Sequence, residues 1–479
     1  MKNYYFLKVL VLLAFFSYSC SQKEKKPILS DILIHNGTIY DGSGDKPYIG
    51  SIAIKGDKII YVGENSVFES DTTIDATGLA ISPGFINMLS WGYGTFMQDG
   101  RALSDLKQGV TLEIFGEGTS PGPFWKDKKF TSFGEAMQNL ESNGVAVNIA
   151  SFLGAATTRI LEVGYDNRPA TDEEMERMRG HVKDAMEEGA MGIGSSLIYA
   201  PGDYASTEEL IELCKVASNY GGMYISHMRN EDSKVMSALE ELIRISKEAD
   251  IPAEIYHLKS SRKPNWKKID DIIKRVEEVR GQGLKITADI YTYNASSTGL
   301  TGVIPTWVQE GGHKAWIERM KDPNIRPRLL EDIRKELSEQ PPEGILMVGF
   351  KTSEMSKKYL SKTVAEAAKM RGQSPEEAIV DMVIEDDNRI QCIYFSMSEE
   401  NIRKKIKLPW VSFCSDAGVY SDITKNFRTH PRAFGSFVRV LGKYSRDENL
   451  FPLEEGIRRL THFPASNLKL KNRGMLKEN

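Results

Sequence analysis

Met223-Tyr224-Ile225-Ser226-His227-Met228-Arg229 and Ala253-Glu254-Ile255-Tyr256-His257-Leu258-Lys259 are two apolar runs that each arrive at a histidine. The stretch between them, 233–249, is amphipathic and rich in charge, so the whole segment reads as strand, helix, strand. The same grammar continues outward in both directions. Apolar strand candidates lie at 80–89, 110–115, 145–152, 191–197, 223–227, 253–258, 284–291 and 410–414. Helical patterns fill 172–188, 207–219, 233–249 and 266–280. Such alternation argues for βα units and a parallel sheet. Eight units predict an α/β fold, a closed (β/α)8 TIM-like barrel. A doubly wound open sheet is the competing architecture, but no GxGxxG opens a helix after the first strand, which weighs against a dinucleotide fold.

The flanks divide the 479 residues further. A positive start, an apolar run over 9–16 and then Ser17-Tyr18-Ser19-Cys20 read as a secretory signal, the run being too short to span a bilayer. Cys20 precedes a polar stretch, so 1–20 resembles a lipoprotein signal that leaves Cys20 as the lipidated first residue. That pattern implies a lipid anchor in a bacterial cell envelope, on the periplasmic or extracellular face. Residues 21–30 make a short tether. Residues 31–82 alternate apolar and polar positions between turn signals such as Asn36-Gly37, which predicts a small β-domain of about four strands. The barrel is expected over 83–479, with an insertion at about 311–407 that carries extra helices and a strand near 345–350.

Composition sets outer limits. Hydrophobic residues make up 41% and charged residues 27%, as in a globular enzyme, and the net charge of −4 gives no polycationic character. Without a basic stripe, nucleic acid is not an expected partner. Cys214, Cys392 and Cys414 show no CxxC spacing, so no thiolate zinc knuckle is indicated.

Catalytic groups of such a barrel stand at the C-terminal ends of its strands. The strand ends here carry Glu117, His227, His257 and Asp416. The chain has seven histidines, and two of them end adjacent strands, close enough to share a cation. Two neutral imidazoles and a carboxylate suit one zinc ion with an open position, which makes His227, His257 and Glu117 the expected ligands. Asp416 is then placed to act as the general base.

These residues carry a resemblance to the amidohydrolase superfamily and, within it, to the N-acyl-D-amino-acid deacylases (the D-aminoacylase family). Pro83-Gly84-Phe85-Ile86, Gln108-Gly109-Val110-Thr111, Ser226-His227-Met228-Arg229, His257-Leu258-Lys259, Ser415-Asp416 and His430-Pro431-Arg432 are the matching stretches. The resemblance implies zinc-dependent hydrolysis of the amide bond of N-acyl-D-amino acids, giving a carboxylate and a free D-amino acid. It implies Asp416 as base, Tyr199 as a hydrogen-bond donor to substrate or oxyanion, Lys259 and Arg432 on the substrate carboxylate, and Ser296 as a further substrate contact.

Two departures qualify the match. The family's His-x-His after Pro-Gly-Phe-Ile is replaced by Leu89, Ser90 and Trp91, so one zinc rather than two is expected. The family's cysteine after the second strand is also missing, and Glu117 stands near its place. Relatives continue beyond the position of Asn479 into strands that complete the small domain, so an incomplete β-sandwich is expected, with exposed edges. Hydrolysis of another amide (cyclic amide or peptide), or a binding lipoprotein without catalysis, remain alternative readings.

Overall fold

The structure is a computed structural model that describes residues 26–64, 66–125, 128–421 and 428–478. Cys20 and the signal segment lie outside the described residues. The described residues divide into two units, one of 26–41, 46–82 and 476–478 and the other of 42–45 and 83–475.

The smaller unit is built on strands β1 (Ile28–Ile39), β2 (Tyr48–Lys55), β3 (Lys58–Gly63), β4 (Phe68–Asp75) and β5 (Ala80–Ile81). They form one sheet in the order β3-β2-β1-β4, with β5 also on β1. A second sheet facing it, as a sandwich requires, is not among the described residues. Asn36-Gly37 is not a hairpin turn. β1 runs through it with a bulge, the register to β2 shifting between Ile34 and Gly37. Asn36 takes the left-handed conformation (φ 62°) that its short polar side chain tolerates. Gly37 is needed because a Cβ there would come within 2.4 Å of Ile81. The last described residues belong to this unit, where the Leu476 amide donates to the Asp41 carbonyl.

The larger unit is a mixed α/β fold. Its strands are β6 (Phe85–Asn87), β7 (Val110–Phe115), the short ribbon β8 (Phe124–Trp125) and β9 (Lys128–Lys129), β10 (Asn148–Ser151), β11 (Leu153–Gly154), β12 (Gly192–Ser196), β13 (Met223–His227), β14 (Ala253–Ile255), β15 (Ile286–Ile290), β16 (Ser296–Gly299), β17 (Ile345–Gly349), β18 (Gln391–Tyr394) and β19 (Val411–Phe413). Two parallel sheets run in the orders β10-β7-β6 and β11-β12-β13-β14-β15-β19. Only Phe152 separates β10 from β11, and its amide donates to the Phe115 carbonyl. At the other edge the Met88 amide donates to the Phe413 carbonyl, and Ser90 pairs in parallel with Ala417.

Helices return the chain between these strands. The helix Val235–Glu248 buries Val235, Ala238, Leu239, Leu242 and Ile243, a one-sided stripe at helical spacing. The helix Asp172–Glu187 starts with a full capping box between Thr171 and Glu174. The expected insertion has its own core, including Leu300, Ile333, Met347, Ile379 and Cys392. Its expected strand near 345–350 is joined by two others in an antiparallel sheet, β16-β18-β17. That sheet begins at Ser296, ahead of the expected boundary near 311. Cys214, Cys392 and Cys414 are free and buried.

Candidate metal centre

Glu117 is aimed by the two glycines around it. Gly116 adopts φ 111°, and a Cβ there would come within 2.3 Å of the Phe152 carbonyl oxygen, so only glycine lets the chain turn off the end of β7. Gly118 follows at φ 72°. His227 is the last residue of β13, and His257 lies just past β14 in a left-handed conformation (φ 35°). The His257 amide donates to Asp289 Oδ1 over 2.8 Å, which pins that unusual backbone.

The three side chains converge. Glu117 Oε1 is 2.8 Å from His227 Nδ1 and 3.1 Å from His257 Nε2, and all three residues are buried. The two imidazole rings stand 4.4 Å apart and nearly perpendicular. Burial opposes ionisation of Glu117, but the hydrogen bonds from His227 and His257 hold its carboxyl below the ordinary range. Their candidate ligand atoms all lie within 4.8 Å of one another. Zinc bonds of about 2.0–2.2 Å set tetrahedral ligand separations of roughly 3.3–3.5 Å, so this donor set fits one such ion after a small outward adjustment.

Glu231 was not singled out from the sequence, yet it joins the group. Its carboxylate oxygens lie 3.3 Å from His227 Nε2 and 3.2 Å from His257 Nδ1. Ligating histidines commonly turn their second nitrogen to a carboxylate, and Glu231 occupies that place for both rings. It sits four residues past His227 in the loop after β13, so the rule that selected Glu117 applies to it equally. Lys259 is held at this same carboxylate, Nζ to Oε1 at 2.7 Å, and at His257 Nδ1 at 2.6 Å. Its ammonium therefore faces the imidazole pair.

Asp416 follows β19 in a left-handed conformation (φ 49°). Burial raises its pKa, and the Arg432 guanidinium partly offsets the rise. Arg432 starts the helix Arg432–Arg439; it donates to Asp416 Oδ2 and to the Ser297 carbonyl and lies 4.6 Å over the Tyr291 ring. Trp91 donates from Nε1 to Asp416 Oδ1 over 3.1 Å. Leu89 is fully buried in the core.

Tyr199 lies past β12 with its ring edge-on to His227 at 5.5 Å, and its hydroxyl donates to Thr298 Oγ1 on β16. Burial pushes its phenol up, so it stays a donor at neutral pH. Ser296 is on the same strand and meets Ser396 Oγ at 3.4 Å, away from the imidazoles' hydrogen bonds. Glu117, Tyr199, His227, His257, Lys259, Ser296, Asp416 and Arg432 all line one wide cleft of about 1990 Å³.

No family model matches the chain. It is 29% identical over 471 residues to D-aminoacylase of Alcaligenes xylosoxydans xylosoxydans, covering 95% of this chain and 87% of that one. It is 26% identical over 460 residues to the N-acyl-D-glutamate deacylase of the same organism, covering 93% and 85%. A crystal structure of D-aminoacylase, described as defining a novel subset of amidohydrolases, matches with a TM-score of 0.78 and 28% identity over 94% of this chain and 88% of that one. The N-acyl-D-glutamate deacylase of Bordetella bronchiseptica, complexed with zinc and a phosphonate mimic of the tetrahedral intermediate, matches with 0.79 and 25% over 94% and 88%. A third structure, concerned with the binuclear metal centre of D-aminoacylase and its one-metal activation and second-metal attenuation, matches with 0.78 and 28% over 93% and 87%. Along nearly its whole length, in sequence and in fold, the chain is similar to D-aminoacylase, whose structure is described as defining a subset of the amidohydrolases.

Proposed function

We propose that this chain is a zinc-dependent amidohydrolase that cleaves N-acyl-D-amino acids to a carboxylate and a free D-amino acid. The observation that carries the reading is the convergence of Glu117, His227 and His257 on one point of a cleft that also holds Asp416 and Arg432. We read the two parallel sheets, joined by the bonds at Phe152 and Met88, as one (β/α)8 barrel with this cleft at its C-terminal face.

Glu117, His227 and His257 would hold one zinc ion. When bound, such an ion polarises a carbonyl and lowers the pKa of a water towards ~7. Asp416 accepts the proton of the attacking water and returns it to the amide nitrogen as the C–N bond breaks. Tyr199, whose phenol is protonated at neutral pH, donates a hydrogen bond to the oxygen that gains charge. Arg432 offers a fixed, planar fork for the free carboxylate of an N-acyl amino acid. Lys259 acts first through Glu231 and His257, and Ser296 lines the outer cleft. Outside the described residues, the sequence pattern supports a lipid on Cys20. A Cys20→Ala protein that still fractionates with membranes after processing would end that reading.

The zinc-loaded protein, screened on paired N-acetyl-D- and N-acetyl-L-amino acids, should hydrolyse D substrates with a clear preference. Zinc-loaded protein that cleaves no N-acyl-D-amino acid refutes the proposal.

A further inference from the structure

We propose that Trp91 is a positioning residue for Asp416, holding the base by its indole N–H and leaving no ligand beside it for a second cation, so that this centre works with one metal and excess metal does not attenuate it. The inference rests on the deacylase reading above and adds a role for a residue that the resemblance marks only as a loss.

The first observation is how Trp91 is carried. The Asp416 amide donates to the Leu89 carbonyl and the Trp91 amide donates to the Ala417 carbonyl, each over 2.9 Å. Ser90 and Ala417 pair between them. The two segments are thus locked side by side, and the indole reaches Asp416 Oδ1 from a rigid ladder at 3.1 Å. The second is what this does to the carboxylate. Trp91 takes one oxygen and Arg432 the other, so the plane of the group is fixed by two donors. Each oxygen keeps a second lone pair, and one of them is enough to accept a proton.

The third observation is the ligand count. Residues 89 and 91 lie beside Asp416 in the paired segments and offer a cation there no ligand. Leu89 has no donor atom and is buried in the core; Trp91 offers only an N–H, which repels a cation rather than binding it. The indole and Arg432 together set the orientation of Asp416. D-aminoacylase is described as activated by one metal and attenuated by a second. Here the indole occupies the place beside Asp416 Oδ1.

The test is a zinc titration of the metal-free protein, read in parallel by calorimetry and by hydrolysis of an N-acetyl-D-amino acid, for wild type, Trp91→Phe and Trp91→His. Wild type should take one equivalent, and activity should then stay flat through a tenfold excess. Trp91→Phe keeps an aromatic ring but loses the donor; it should bind the first equivalent with unchanged affinity and melt as wild type does, while kcat falls about 10-fold or more at a KM within about 2-fold, the loss of one hydrogen bond to a charged group. Trp91→His should take a second, weaker equivalent, with activity falling as it fills. A second equivalent in wild type, or wild-type kcat in Trp91→Phe, overturns the proposal. If wild type binds no zinc or hydrolyses nothing, the deacylase reading fails instead, and the calorimetric comparison of wild type with the His and Phe variants still decides whether Trp91 closes a second site.

Discussion

Arg432 Nη1 donates to Asp416 Oδ2 over 2.6 Å, and both side chains are buried. With the roles proposed above, removing Arg432 costs more than binding, because it also holds Asp416. Burial raises the Asp416 pKa and Arg432 opposes that rise. Asp416 serves as base only when ionised, so the acidic limb of kcat/KM should lie above the ordinary aspartate range. Arg432→Ala should move that limb to still higher pH, lower kcat and raise KM, and Arg432→Lys should restore part of the limb. A pH–rate profile that Arg432→Ala leaves in place would separate the two residues.

Asp416→Asn keeps the shape and removes the base. Turnover should fall by about two to four orders of magnitude, the range of general acid–base groups. Zinc should stay, because the Asp416 oxygens are committed to Trp91 and Arg432 rather than to the Glu117 group. Metal analysis beside steady-state kinetics checks both halves.

Glu231 orients both imidazoles and anchors Lys259. Loss of such a carboxylate typically costs about 10–100-fold in metal affinity. Glu231→Gln should therefore release zinc to a chelator at a correspondingly lower chelator concentration. Wild-type affinity in the variant would reduce Glu231 to a partner of Lys259.

Glu254 gives a stability prediction apart from the centre. Burial, and then the neighbouring Asp289, push its carboxyl up to about 8. In the unfolded chain the group titrates near ~4.3. A raised folded pKa means stability that is fully present below about pH 4 and lost as pH rises through about 8. Glu254→Gln, whose amide oxygen can still accept from Thr287 and Asn467, should flatten the fall of Tm between pH 5 and 8. Equal slopes in the two proteins would show that Glu254 does not carry this loss.

Strand ends were the most legible part of the sequence. The run 223–227 is the strand Met223–His227 as observed, and the helical pattern 207–219 is the helix Thr207–Asn219, because burial on both faces or on one stripe leaves a strong period. Glu117, His227 and His257 followed from asking what ends each strand, and they meet. The small domain was harder to read. Asn36-Gly37 is common to turns and to bulges, and which one forms depends on Ile81, distant in the chain. Ser296 was placed by chain order, but it belongs to an antiparallel sheet whose partner β18 lies nearly a hundred residues on. Roles such as those of Glu231, Lys259 and Trp91 depend on which of several partners a side chain reaches, and spacing does not encode that.

In the proposed mechanism Glu117, His227 and His257 hold one zinc ion. Anomalous diffraction at the zinc edge from crystals grown with zinc tests it most directly. One strong peak should lie in the cleft, about 2.0–2.2 Å from a Glu117 oxygen and from one nitrogen of each histidine. A peak bound elsewhere with these three side chains unengaged, or two full peaks bridged by Asp416, would contradict it.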